Sequence, residues 1–321
     1  MRVVISEFMD EAAVARLAGV HDTFYDPRLG DRPLELAPHL AHADALIVRN
    51  RTRVDADLLA AAERLKVIGR LGVGLDNIDV AAARARGIAV IPALGANAPA
   101  VAEYVMATAL LLLRGAYLSS ALVANGEWPR TALSAGREIA GKMLGVIGFG
   151  TIGRLTAKLA RGLSMRVVGS DPDHPATSPV WREAQASALP LEALLAEADV
   201  VTLHVPLTAG TRGMIDAAKV ARMRAGAVLI NTARGGIVDE VALARALRSG
   251  RLGGAALDVF EHEPLPAGSP LAGCPNLILT PHIAGVTRES NARVSALIAE
   301  QVAAFLAGNR GETVDADIRA G

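Results

Sequence analysis

The sequence predicts an α/β protein built on two doubly wound parallel sheets. Three observations predict it. Short apolar runs of strand length alternate with Ala-rich amphipathic segments almost throughout, the pattern of consecutive βαβ units. That series starts twice, at RVVIS near the N-terminus and again at KMLGVIGFG. A chain of 321 residues also divides naturally into two domains of about 100 to 200 residues each.

In order along the chain, RVVIS is the first strand and DEAAVARLAG its helix, followed by the strand DALIVRN (44–50) and the helical VDADLLAAAERL. LKVIGRLG (65–72) and GIAVIP (87–92) complete the first series. A helix over 97–114 separates it from the second. Its apolar run YVMATALLLL (104–113) is bounded by Glu103 and Arg114 and falls far short of the ~20 residues that span a bilayer, so it reads as a buried helix and no membrane partner is expected. The second series continues through MRVVGSDP (165–172), ADVVTLHVP (198–206), GAVLINTAR (226–234), GGAALDVFEHEP (253–264) and NLILTPHIAG. DPDHPATSP (171–179) reads as a Pro-rich surface loop. Leu277, Ile278 and Leu279 read as a strand buried on both faces, ended by Pro281, and a last helix is expected over 287–307.

Hydrophobic residues make up 51% of the chain, enough for a large core, and 33 Lys and Arg balance 33 Asp and Glu. Without a basic excess there is no electrostatic footprint for nucleic acid, and a small molecule is the expected partner. Cys274 is the only cysteine, which excludes an intramolecular disulfide and a multi-thiolate zinc site. No metal is expected, and a reducing, cytoplasmic setting is. MRVVISEFMD lacks the apolar stretch of a signal peptide.

Gly148-Phe149-Gly150-Thr151-Ile152-Gly153 is a GxGxxG placed between the strand LGVI and the helical RLTAKLARGL. There each glycine has a task. The first makes the tight turn, the second lets a pyrophosphate approach the backbone, and the third lets helix and strand pack closely. Helix N-terminal amides are left pointing at the phosphates, as in a Rossmann-like dinucleotide site. The next strand ends at Asp171, whose carboxylate can accept ribose hydroxyls and would repel a 2′-phosphate. No Arg or Lys follows until Arg182, so NAD is expected rather than NADP.

Three more polar residues stand at strand ends of this second series: Arg234 after VLINTA, Glu263 after AALDVFEH and His282 after LILTP. Chemistry supplies a role for each. An Arg fork holds a carboxylate bidentately, a His carries the proton that accompanies a hydride, and a Glu holds and charges that His.

The segments GKMLGVIGFGTIG, LHVPLT, LINTARGGIVDE, AALDVFEHEP and LTPHIAG together resemble the D-isomer-specific 2-hydroxyacid dehydrogenase family, over nearly the whole chain. The resemblance is to phosphoglycerate dehydrogenase-like members without a regulatory C-terminal domain. It implies two Rossmann-like domains, a nucleotide domain (97–286) inserted in a substrate domain (1–96 plus 287–321). It implies Arg234, Glu263 and His282 as the catalytic triad. It implies an NAD surface of Gly148, Gly150, Thr151, Ile152, Gly153, Asp171, His204, Val205, Pro206, Thr232, Ala233, Asp258 and Gly285, with Asp258 near the nicotinamide amide. Substrate loops at Arg49, Asn50, Arg51, Leu71, Gly72, Val73 and Gly74 are expected to face the cleft. The helix at 97–114 is apolar enough to pack in a subunit interface, and a symmetric homodimer is expected.

The expected reaction is reversible hydride transfer between NAD and C2 of a small 2-hydroxy or 2-keto acid. Some members of this broad family act instead as NADH-sensing corepressors. A compact chain without a basic or disordered extension favours the enzyme. The substrate is least explicit. Many relatives have small polar residues after the first arginine of the first loop, whereas this chain reads Arg49-Asn50-Arg51-Thr52-Arg53. An arginine facing the cleft would be desolvated and unpaired beside an apolar C3 group but would pair with a second anion. C3-anionic acids such as 3-sulfolactate or 3-phosphoglycerate are therefore expected, with a glyoxylate/hydroxypyruvate or D-lactate-type reductase as the alternative. On the family's usual hydride face, a C3 sulfonate changes the naming priority and turns the R label into S.

Overall fold

The computed structural model describes residues 1–309. The rest of the expected 287–321 segment, 310–321, lies outside the described residues. Among the described residues the chain divides into two compact units, one of residues 1–97 with 286–309, the other Ala98–Gly285.

The first unit holds a five-stranded parallel sheet of β1 (Arg2–Ile5), β2 (Asp22–Tyr25), β3 (Ala45–Val48), β4 (Val67–Arg70) and β5 (Ala89–Pro92), in the order β2-β1-β3-β4-β5. The helix Arg288–Leu306 belongs to this unit and lays Ile298 and Val302 on β4, where a Cβ at Gly69 would crowd both. Thr287 caps it, its hydroxyl accepting the Ser290 N–H at 3.0 Å.

The second unit holds β6 (Met143–Ile147), β7 (Arg166–Ser170), β8 (Ser187–Ala188), β9 (Val200–Leu203), β10 (Val228–Asn231), β11 (Gly254–Leu257) and β12 (Leu277–Leu279). They form one parallel sheet in the order β12-β11-β10-β9-β6-β7-β8. Strands β6, β9, β10 and β11 are buried at every residue because helices cover both faces, which is why they read as unbroken apolar runs. On one face pack Val105, Ala109 and Leu113 of the helix Ala98–Arg114, and on the other Leu194 and Leu243. The strand order reverses at β6, and every strand points the same way. The segments that follow β6, β7, β9, β10, β11 and β12 therefore all emerge on one edge, at the point where such sheets bind ligands.

Two expectations need correction. Strand β12 is not buried on both faces. As the outermost strand it has only β11 beside it, Leu277 and Ile278 are half-buried, and Leu279 is exposed. The helix Ala98–Arg114 is not buried all round either, since Leu110 and Leu111 are exposed. Among the described residues no single helix is long and apolar enough to cross a membrane.

Candidate active site

The turn after β6 is built by its glycines. Gly148 has φ +88°, and a Cβ there would lie 2.6 Å from the His204 carbonyl oxygen. A Cβ at Gly153 would collide with the Gly148 carbonyl, so the first turn of the helix Thr151–Gly162 can sit against the loop only with glycine there. Gly150 caps that helix without a side chain, which leaves its first amides to an anion. Thr151 is exposed and Ile152 half-buried at the helix start. Asp171, at the end of β7, accepts the Phe149 N–H on Oδ2 at 2.6 Å and the Asp173 N–H on Oδ1 at 2.9 Å. One acid thus ties down the glycine loop and keeps lone pairs for ribose hydroxyls.

His204 follows β9 with only 8% of its surface exposed, its Nε2 3.1 Å from the Thr202 hydroxyl. Burial pushes its imidazole down to about 3, so it is a neutral group at this edge. Val205 and Pro206 follow it, half-buried. After β10, the Thr232 hydroxyl is buried without a hydrogen-bond partner, which fits a surface completed by a ligand. Ala233 instead packs into the core. The glycine cradle, the uncapped helix start, the acid and the unpartnered hydroxyl together fit a dinucleotide.

The three chemical groups lie on the same edge of this unit. Arg234 is half-buried, and its Nη1 donates to the Ala233 carbonyl at 2.7 Å. Buried Asn231 holds that turn at both ends, its Nδ2 donating to the Arg234 carbonyl (2.9 Å) and its Oδ1 accepting the Ala233 N–H (3.0 Å). Glu263 Oε2 lies 2.8 Å from His282 Nδ1, and its Oε1 accepts the Phe260 N–H at 3.0 Å. An ionised carboxylate can only accept, so Nδ1 carries the proton and Nε2 is left for another partner. His282 has φ +56°, rare for a residue with a Cβ, and its N–H donates to the Asp258 carbonyl at 2.8 Å.

Asp258, expected beside the nicotinamide amide, is 1% exposed and spends its carboxylate on the His282 loop. Its Oδ1 accepts the Thr280 hydroxyl (2.6 Å) and the Ile283 N–H (2.8 Å), and its Oδ2 accepts the Ala284 N–H (2.7 Å). Because Thr280 donates to Asp258, Tyr104 must donate to Thr280 across their 2.6 Å contact. Burial pushes the Tyr104 phenol up from its ordinary value and keeps that donor. Gly285 follows this loop, half-buried.

In the first unit, the segment after β3 sends its three arginines to different partners. Half-buried Arg49 donates from Nη2 to Asn291 Oδ1 at 2.8 Å, its guanidinium 6.0 Å from the Phe8 ring centroid. Arg51 pairs with Asp31 at 2.6 Å and with Glu7 at 3.6 Å and donates to the Pro27 carbonyl at 3.0 Å, while Arg53 is 85% exposed. Asn50 is exposed. In the segment after β4, Leu71 packs in the core, leaving Gly72, Val73 and Gly74 to form the turn. Sequence reading missed Tyr104, Asn231, Thr280 and Glu7. The available signal was a polar residue ending an apolar run, as in VLIN and LILT.

A dinucleotide cradle at a sheet's switch point, beside a carboxylate-held histidine and an arginine, defines a pyridine-nucleotide oxidoreductase of hydroxy acids. The family model for the D-isomer specific 2-hydroxyacid dehydrogenase NAD binding domain matches residues 106–284. The chain is 54% identical over 300 residues to the (S)-sulfolactate dehydrogenase of Chromohalobacter salexigens, covering 94% of this chain and 96% of that one. It is 39% identical over 318 residues to the D-3-phosphoglycerate dehydrogenase of Methanocaldococcus jannaschii, covering 98% of this chain and 59% of that longer protein. Among solved structures, the TT0316 protein of Thermus thermophilus matches with a TM-score of 0.85 and 37% identity, covering 98% of this chain and 100% of that one. The chain belongs to the D-isomer-specific 2-hydroxyacid dehydrogenase family and is an NAD-dependent 2-hydroxyacid oxidoreductase.

Proposed function

We propose that the chain interconverts a C3-anionic 2-hydroxy acid and its 2-keto acid, with (S)-3-sulfolactate and 3-sulfopyruvate as the pair. One observation carries the choice. The half-buried Arg49 guanidinium has the Glu7 carboxylate as a charge neighbour but donates its hydrogen bond to the neutral Asn291 amide, a cation to which a second substrate anion could bond directly. The 54% identity to a protein named (S)-sulfolactate dehydrogenase supports it, and the S label is the one a sulfonate gives the family's usual face.

In this reading Arg234 holds the C1 carboxylate and polarises the C2 oxygen. His282 Nε2 takes the C2 hydroxyl proton during oxidation and returns it during reduction, and Glu263 stabilises the imidazolium. Bound NAD supplies the acceptor for the C2 hydride. Gly148, Gly150, Gly153, Thr151 and Asp171 hold the cofactor, Asp171 at its ribose. The reading also takes the chain as a cytoplasmic homodimer. Exposed Leu110, Leu111 and Trp128 in the second unit support a subunit interface that sedimentation would test.

The test is NADH oxidation with 3-sulfopyruvate, 3-phosphohydroxypyruvate, hydroxypyruvate, pyruvate and phenylpyruvate. 3-Sulfopyruvate should give the highest kcat/KM. Arg49→Ala should lose about 100-fold on it and less than about threefold on pyruvate, whereas Arg51→Ala, already paired with Asp31, should lose less. Better turnover of pyruvate than of either C3-anionic acid by the wild type would overturn the proposal.

A further inference from the structure

We infer that Glu7 is a positioning residue that shapes the 49–52 loop and, through Arg49, sets the preference for a second substrate anion. The inference rests on the reading of Arg49 above. Glu7 stands two residues beyond the last residue of the apolar strand β1 and is 1% exposed, an expensive place for a carboxylate unless it is fully paired. The pairing comes from four consecutive backbone amides. The N–H groups of Arg49 and Thr52 donate to Oε1, each at 2.9 Å, and those of Asn50 and Arg51 to Oε2 at 3.2 and 3.0 Å. Burial alone would push the Glu7 carboxyl up, but the amide bonds outweigh it and hold the group below its ordinary value. The Thr52 hydroxyl is tied in turn to that of Ser6 at 2.8 Å.

Two consequences follow for recognition. A turn whose successive amides converge on one point is an anion site, and here the protein's own carboxylate fills it. The loop amides are therefore spent, and a substrate oxyanion must be met by a side chain. Glu7 and Phe8 also grip the same residue at its two ends, Glu7 the Arg49 backbone and Phe8 its guanidinium face. The planar head, braced by Asn291 and Phe8, is presented from a root that Glu7 fixes. Arg51 shares the Glu7 anchor through its backbone N–H and through its Nε, 3.6 Å from Glu7 Oε2, but its Nη1 and Nη2 are taken by Asp31 and the Pro27 carbonyl.

Glu7→Gln keeps the shape but turns one acceptor into a donor facing loop amides. With 3-sulfopyruvate, KM should rise about tenfold or more while kcat stays within about threefold. The NADH dissociation constant and kcat/KM for pyruvate should stay near wild type. Because Glu7 acts through Arg49, the double variant Glu7→Gln/Arg49→Ala should lose no more on 3-sulfopyruvate than Arg49→Ala alone. Glu7→Asp keeps the charge one methylene short, and its KM should fall between wild type and Glu7→Gln. If Glu7→Gln fails to fold, Glu7→Asp and its double variant with Arg49→Ala carry the same test. Equal losses on 3-sulfopyruvate and pyruvate, or additive losses in the double variant, overturn the inference. If Arg49→Ala affects 3-sulfopyruvate and neither Glu7 variant does, the inference fails and the reading of Arg49 survives. If Arg49→Ala has no effect, both fail.

Discussion

Glu263 Oε2 and His282 Nδ1 stand 2.8 Å apart across 19 residues of sequence, and the histidine holds a left-handed backbone to meet that partner. Replacing His282 with Ala should lower kcat by ~10²–10⁴ while leaving NADH affinity near wild type, the signature of a lost proton carrier. Glu263→Gln keeps a hydrogen bond to the ring but removes the charge facing the imidazolium, so its kcat should fall by about tenfold to 100-fold. Single-turnover absorbance with NADH and keto acid checks both. A fully active His282→Ala enzyme would place the proton path elsewhere.

In the proposed reading Asp171 has two tasks, anchoring the glycine loop and meeting the ribose, that one substitution separates. Asp171→Asn keeps a side-chain oxygen for the Phe149 N–H, whereas Asp171→Ala removes it along with the ribose acceptor. Both variants lose the charge that repels a 2′-phosphate, so both should relax discrimination against NADPH. Only Asp171→Ala should also lower the stability of the glycine loop, by about 1 kcal/mol. Fluorescence titration with both cofactors, beside thermal unfolding, reads the two effects. An unchanged NADH to NADPH ratio in either variant would show that the discriminating acid lies elsewhere.

The sheets and the chemical groups were legible in the sequence for one physical reason. Parallel strands covered on both faces are apolar throughout, so VLIN, GAAL and MLGVI stand out, and the residue at or just after the end of each run (Asn231, Asp258 and Gly148) marks the ligand edge. Edge strands escape this logic. DTFY and SA are short and half-exposed, and LIL looked like a central strand because its exposure comes from having one neighbour rather than from its composition. Supporting residues were hidden differently. Glu7, Tyr104 and Thr280 act through partners 45, 176 and 22 positions away, separations that no local pattern encodes. Likewise the alternation of Arg49, Arg51 and Arg53 suggested one common side, whereas a loop wrapped on Glu7 has no strand periodicity to enforce it.

Tyr104 lends itself to a narrow test. Its hydroxyl donates to Thr280, which donates to Asp258, which in turn holds the loop carrying His282. Tyr104→Phe removes one hydroxyl at the far end of this chain without touching Arg234, Glu263 or His282. It should lower kcat by about threefold to tenfold, leave KM nearly unchanged, and destabilise the fold by about 1 kcal/mol. Stopped-flow reduction of the keto acid separates this from slow product release. A kcat within experimental error of wild type would confine Tyr104 to packing.

His204 makes a prediction about pH and stability. Its imidazole, buried behind the glycine loop, is held at about 3 against an ordinary 6.5, so the unfolded chain takes up a proton that the folded protein refuses. Stability is therefore complete above about pH 6.5 and is lost as pH falls toward 3, with a limiting slope of about 1.4 kcal/mol per pH unit. Between pH 6 and 4.5 that amounts to about 2 kcal/mol. Glu7 and Asp44 also have depressed values, but their contributions are lost at lower pH, below their ordinary 4.5 and 3.8. His21, whose value is also lowered, is common to wild type and variant and cancels in their difference. His204→Gln removes the titration while leaving a polar side chain beside Thr202. Urea unfolding can be followed by fluorescence of Trp181, which is buried in the same unit. From pH 6 to 4.5 the wild type should lose about 2 kcal/mol more than His204→Gln, and parallel curves would show that His204 accepts its proton in the folded state.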